Sequence, residues 1–314
     1  MREVWQQLYL QKAPPHVVCS EFMATAGWRS VETQDTLAHV VASAELAPRY
    51  RQRVLKPLIG ALQEDQSTEL SERLLELYME GLSGQVEDPR DEWSVRTFVL
   101  HDRTALRIRA GETVGGGTET GCVLWDAAKA LSAWMLPRAA AFDGLHVVEL
   151  GAGPGLAGLC LALASSARVT LTDCVPATLD NLTHNAAMLP EDARTRVRVS
   201  SLDWLEVMAQ PGMARELMAD VVVAADVVYE PSLVPPLLAT IRELLCRRTA
   251  RAIVAAEERG AAWGVFLKAL HDERLSITDH SEDARACLHA QDCVFWCAPE
   301  SIDRIHLLEV RLPS

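Results

Sequence analysis

Apolar and polar positions change their rhythm twice along the chain. From residue 1 to 92 Leu, Glu, Arg and Gln dominate, and apolar positions recur at helical spacing, as in Leu70, Leu74, Leu77 and Tyr78 behind the potential caps Ser67 and Thr68. This predicts a small helical domain, punctuated by Pro14, Pro15 and Pro89. From residue 93 the period drops to two: Val95, Thr97 and Val99, then Leu106 and Ile108, alternate with polar residues on either side of His101, Asp102 and Arg103. A hairpin with its turn at those three residues is expected, then a loop at Gly115 to Gly117, so that residues 93–121 form a hairpin and connection.

Beyond residue 122 the pattern changes again. A helix with Ala127, Ala128, Leu131 and Trp134 on one face opens the segment. Short apolar runs at 147–150, 168–172, 197–200, 220–225 and 252–256 then alternate with helical stretches at 156–164, 176–187, 232–246 and 263–271. Continuous apolar runs mark strands covered on both faces, and strand–helix alternation requires a parallel sheet with helices on either side. Residues 293–297 and 305–312 read as a final antiparallel pair. The expectation is an α/β domain over 122–314, mostly parallel with an antiparallel C-terminal hairpin, plus a small helical N-terminal domain over 1–92.

The 314 residues, 49% of them apolar, suffice for one domain of about 200 residues and an appendage. No run approaches the ~18 apolar residues of a membrane span. The first residues lack a long apolar stretch and carry Glu3, which points to a cytosolic or nuclear protein and no membrane partner. A net charge of -13 argues against direct nucleic-acid binding and favours a basic protein segment as partner. The oligomeric state is not encoded in any pattern, and a monomer is the simplest expectation. Eight cysteines without a framework of close pairs read as reduced, mostly buried thiols. Cys287, His289, Cys293 and Cys297 invite a zinc site, but with 293–297 as a strand the last two lie ~13 Å apart, too far for one tetrahedral ion. No metal is expected there.

The chemistry gathers at VVELGAGPGL, where an apolar strand runs into Gly151, Gly153 and Gly155. Glycines permit a sharp turn at the carboxyl end of a strand and close approach of a ligand to backbone. No Gly-Lys-Ser/Thr follows, which excludes a P-loop, and Leu156 stands where a dinucleotide fingerprint places its third glycine. Acidic residues end each of four expected strands: Glu149, Asp173, Asp203 and Asp226. Asp173, about twenty residues past the glycines, suits two ribose hydroxyls, although each aspartate on its own reads equally well as a helix cap. Trp204 offers a stacking face for adenine and Asp203 an acceptor for its amine, with Trp125 either a second wall or core. A dinucleotide fold gives no role to Asp203, Trp204 or the terminal antiparallel pair, whereas an S-adenosyl-L-methionine site uses them all.

The segments GCVLWDAAKALSAW, VVELGAGPGLAGL, LTDC, LDW and DVVVAADVVY resemble the family 16 seven-strand methyltransferases, with the D-x-x-Y signature at Asp226 to Tyr229. The resemblance implies a Rossmann-like seven-strand sheet and S-adenosyl-L-methionine as cofactor, contacted by Trp125, the backbone of Gly151, Ala152 and Gly153, Asp173, Trp204 and Ala225. Gly155 and Asp203 belong to the same expected site, and Glu149 is expected to fix the loop or the cofactor's amine. Pro154 departs from the small residue usual in this loop. LYLQKAPPHV, the ELY at Glu76 to Tyr78 and the Gly-Thr ahead of WDAA resemble the branch acting on translation elongation factor 2, which implies that protein as substrate. Asp226 and Tyr229 are then expected to orient a lysine amine for methyl transfer. Another protein lysine, a small-molecule substrate, or a non-catalytic module with a vestigial cofactor pocket are the alternatives, with a dehydrogenase more distant.

Overall fold

The computed structural model describes residues 3–65, 67–83, 93–100, 104–111, 120–245, 249–290 and 292–313. The expected hairpin turn at His101 to Arg103, the glycine loop at Gly115 to Gly117, Pro89 and Cys246 lie outside the described residues. Two units emerge, Met1–Thr120 and Gly121–Ser314.

The first unit holds five helices among its described residues: α1 (Val4–Leu10), α2 (Pro15–Met23), α3 (Val31–Ser43), α4 (Pro48–Gln63) and α5 (Glu72–Ser83). They bury Trp5, Tyr9, Phe22, Leu37, Leu55, Leu58 and Leu62 between them. The cap of α5 is Ser71, whose hydroxyl accepts from the Leu74 N–H at 3.2 Å, in place of Ser67 or Thr68, and Leu70 precedes the helix. A hairpin of β1 (Trp93–Val99) and β2 (Ala105–Gly111) belongs to this unit, with Trp93 opposite Gly111. Its inward face differs from the apolar alternation. Ser94 and Phe98 are buried while Val95, Thr97 and Val99 are half-buried. The reason is a tether: the Ser94 hydroxyl accepts from the Ala47 N–H at 2.9 Å, and a one-residue change of facing would expose Phe98 and break that bond.

The second unit begins with α6 (Asp126–Met135) and continues as β3 (His146–Leu150), α7 (Leu156–Ala164), β4 (Arg168–Asp173), α8 (Pro176–Ala187), the single turn α9 (Glu191–Arg194), β5 (Val197–Ser201), α10 (Trp204–Ala209), β6 (Val221–Ala225), α11 (Val234–Leu244), β7 (Arg251–Glu257) and α12 (Ala262–Asp272). It ends with β8 (Ser276–Asp279), α13 (Ser281–His289), the short α14 (Pro299–Ile302) and β9 (Ile305–Arg311). The sheet order is β5-β4-β3-β6-β7-β9-β8, with the first five strands parallel and β9 antiparallel to both its neighbours. This is the Rossmann-like seven-strand arrangement. Val147, Val148, Val221, Val222, Ile253 and Val254 fill the middle of the sheet, which is why those strands read as unbroken apolar runs.

The C-terminal edge corrects one expectation. The strand beside β9 is Ser276–Asp279, and residues 293–297 form no strand, although Val294, Phe295 and Cys297 are buried. All four residues of β8 are exposed, so backbone pairing alone makes it a strand and no apolar alternation marks it. The apolar run of 293–297 reports burial without a ladder, and with it goes the strand-based spacing between Cys293 and Cys297. Burial raises both thiols above the usual range, and among the described residues no three His, Cys, Asp or Glu side chains gather as a metal cluster. No described helix is long and apolar enough to cross a membrane.

Candidate active site at the carboxyl ends of the parallel strands

Strand order reverses at β3, which has β4 on one side and β6 on the other. Ligand sites in open parallel sheets lie outside such a reversal. The turn after β3 uses its glycines for conformation: Gly151, Gly153 and Gly155 have φ of 57°, 56° and 86°. A Cβ on Gly153 would stand 2.9 Å from the Gly121 carbonyl oxygen, and one on Gly151 would stand 3.0 Å from Val227 and 3.3 Å from the Trp204 ring. Neighbouring elements hold the turn in place. The Ala152 N–H donates to the Thr172 carbonyl at 2.8 Å, and the Asn185 side chain donates to the Pro154 carbonyl at 2.8 Å.

The four strand-end carboxylates differ in what they do. Glu149 is 1% exposed, and its Oε2 accepts from the Gly158 N–H in α7 at 2.8 Å. Burial pushes its carboxyl up to about 8, against the Gly158 hydrogen bond and reinforced by Asp173. Asp173 accepts at Oδ1 from the N–H groups of Cys174 (2.8 Å) and Val175 (3.2 Å), and at Oδ2 from Gly153 (3.2 Å), so it ties the start of α8 to the glycine turn. Desolvation raises its carboxyl despite these bonds. Asp203 caps α10 by accepting from Leu205 at 2.8 Å, and Trp204, the first residue of that helix, lies half-buried against Gly151.

Asp226 follows Ala225, the last, half-buried residue of β6, and has φ of 57°, a left-handed conformation uncommon outside glycine. Its N–H donates to the Ala255 carbonyl of β7 at 2.8 Å, and its side chain is 7% exposed. Arg259 lies 3.2 Å from Asp226 and 2.6 Å from Glu257, with its guanidinium 4.7 Å from the centre of the Trp125 ring. Desolvation raises the Asp226 carboxyl, Arg259 and the Glu257 N–H that donates to it lower it, and the charges of Glu257 and Asp126 raise it. Tyr229 is 59% exposed. Desolvation raises its hydroxyl, helped by the charges of Cys174, Asp173 and Glu230. Among the expected site residues, Asp173 bonds Gly153, Trp204 packs against Gly151, and Arg259 stands between Asp226 and Trp125.

Three residues escape a reading of the sequence. Glu257 ends β7 as the aspartates end their strands, and the rule that singles those out applies to it equally. Gly158 sits inside α7, where a Cβ would stand 2.5 Å from the Glu149 carboxylate and 2.4 Å from Leu171; a helix-interior glycine is the available signal. Arg259 carries no signal, because its partners Asp226 and Trp125 come from other elements.

A parallel α/β fold with a bare glycine turn at its switch point and carboxylates on the adjoining strand ends defines a Rossmann-like nucleotide-cofactor protein. The lysine methyltransferase family matches residues 101–273, and the chain belongs to that family. The chain is similar to protein-lysine N-methyltransferase EEF2KMT of Mus musculus, 35% identical over 144 residues that cover 43% of this chain and 42% of that one. Against the Homo sapiens protein of the same name it is 31% identical over 193 residues, 58% of each chain. Protein-lysine N-methyltransferase EFM3 of Chaetomium thermophilum is 25% identical over 307 residues, 89% of each. The chain spans about half the length of the first curated relatives it matches. S-adenosyl-L-methionine, the family's methyl donor, suits the residues present: Gly151 and Gly153 keep the turn free of side chains where a Cβ would press on Gly121, Val227 and Trp204, and Asp173 accepts from the Gly153 N–H.

Proposed function

We propose that this chain is an S-adenosyl-L-methionine-dependent protein-lysine N-methyltransferase that modifies translation elongation factor 2 in the cytoplasm. The observation carrying this reading is the left-handed turn of Gly151, Gly153 and Gly155, pinned by Asp173 and placed beside a left-handed Asp226, in a chain of the lysine methyltransferase family. The EEF2KMT relatives and the LYLQKAPPHV and ELY segments support the narrower substrate.

When bound, S-adenosyl-L-methionine supplies an electrophilic methyl group on a sulfonium. Gly151, Ala152, Gly153 and Gly155 would hold it through backbone, Asp173 by accepting from its ribose hydroxyls, Asp203 and Trp204 at the adenine, and Trp125 and Ala225 as walls. Glu149 contributes by locking the turn to α7 through Gly158. A free lysine titrates near 10.4, so the site must receive it without its proton. Asp226 accepts a hydrogen bond from the amine and aims its lone pair, while Tyr229, exposed three residues further on, guides the side chain in. Partial desolvation of the amine favours its neutral form, and the proton leaves through water.

The test is transfer of radiolabelled methyl into a lysate from cells lacking the endogenous enzyme. A labelled lysine in a band the size of elongation factor 2 is expected, with Asp226→Ala lowering kcat about 100-fold while cofactor affinity holds. Label confined to small molecules, or a normal rate from Asp226→Ala, would refute the reading.

A further inference from the structure

We infer that Arg259 is a positioning residue that balances the charge of Asp226, so that the substrate lysine meets the methyl donor as a neutral amine. This rests on the lysine methyltransferase reading above. It starts from a conflict in that chemistry. A buried carboxylate beside the nucleophile is a good acceptor, but an uncompensated one stabilises the ammonium, the form that cannot attack.

Arg259 resolves the conflict by its placement. It follows β7, whereas Asp226 follows β6, and it reaches across to Asp226 at 3.2 Å. Two further contacts fix its guanidinium: Glu257 at 2.6 Å, and the Trp125 ring face at 4.7 Å from its centre. Asp226 is equally fixed, by its 7% side-chain exposure, its left-handed backbone and its N–H bond to Ala255.

The charged groups around Asp226 come from α6, from β7 and the turn after it, and from the residue before β9. Asp126, at the start of α6, pairs with Lys129 at 2.7 Å. Glu257, at the end of β7, pairs with Arg259 and with Arg304 at 2.5 Å. Three carboxylates thus meet three cations, and the group around Asp226 is neutral. Arg259 alone touches Asp226 among those cations in the described residues. Its loss would leave one negative charge where the amine arrives. The guanidinium and the Glu257 N–H use part of the Asp226 carboxylate, whose two oxygens have further lone pairs for the substrate.

Two measurements test the inference. In the first, methylation of unmodified elongation factor 2 with radiolabelled S-adenosyl-L-methionine is followed against pH for wild type, Arg259→Gln and Arg259→Lys. The rising limb should move to higher pH by roughly one unit or more in Arg259→Gln. Its rate should fall about tenfold at neutral pH and recover in alkali. Arg259→Lys, a shorter cation, should move the limb by less, and it carries the test alone if Arg259→Gln does not fold. A profile lowered equally at all pH values, the signature of a merely structural residue, overturns the inference.

In the second, the Asp226 carboxyl is titrated by carbon NMR of aspartate-labelled protein without donor or substrate, with Asp226→Asn for assignment. Its midpoint should rise in Arg259→Gln; an unchanged midpoint overturns the coupling. Failure of the wild type to label any protein lysine would count against the proposed function, while the Asp226 titration, which needs no substrate, still decides the coupling.

Discussion

At the scale of single residues the turn is governed by what side chains are missing as much as by those present. Gly158, within α7, has no Cβ to collide with the Glu149 carboxyl that its N–H donates to, and Glu149 is buried where β3 meets that helix. A carboxyl there holds its proton up to about pH 8, against an ordinary value of 4.5. The sign follows from linkage. Below the ordinary value both folded and unfolded states carry the proton; between the two values only the folded state does, so stability falls as pH rises; above about 8 the slope vanishes. The loss is on the order of a few kcal/mol, and Glu149→Gln, which cannot ionise, should escape it. Denaturant unfolding of both proteins across that window is the check, and equal slopes would show that Glu149 is already ionised in the fold. A sequence makes the glycines legible, because left-handed backbone and close approach demand them, but the carboxyl's protonation depends on burial that no local pattern reveals.

At the scale of elements, a residue that ends a strand also begins a helix, and the two roles compete. Asp203 caps α10 through the Leu205 N–H, and the helix it starts carries Trp204 against Gly151. Asp203→Ala should cost about 1 kcal/mol of stability, and Asp203→Asn much less. Calorimetry with S-adenosyl-L-methionine separates the roles: affinity lost in both variants indicates contact with the cofactor, affinity lost only in Asp203→Ala indicates a helix-capping effect. The positions of the central parallel strands β3, β6 and β7 are readable because those runs are buried on both faces. Edge strand β8 was not readable, since its Ser, Ile, Thr and Asp side chains all face solvent and only pairing with β9 defines it. In β1 the hairpin itself is legible but the buried face is not: the Ser94 to Ala47 bond joins segments distant in sequence and puts Ser94 and Phe98 inside, with Val95 and Val99 half-buried.

At the scale of the whole molecule the net charge of -13 creates a field that attracts basic partners and is screened by salt. For a basic protein surface as substrate, KM should rise several-fold between about 50 and about 300 mM salt while kcat stays nearly level. A KM independent of salt would assign recognition to short-range contacts alone.

The alternating parallel strands and helices from β3 to α12, the glycine turn and the acidic strand ends followed from the amino-acid pattern, because period, burial and left-handed backbone each restrict the residues allowed, whereas the C-terminal edge did not. Partnership did not follow. That Asp173 binds Gly153, that Asp203 is a cap and that Arg259 joins Asp226 to Trp125 are facts of three-dimensional proximity between separate elements. Charge acts through space, and the chain records which charges it carries without recording where folding brings them together.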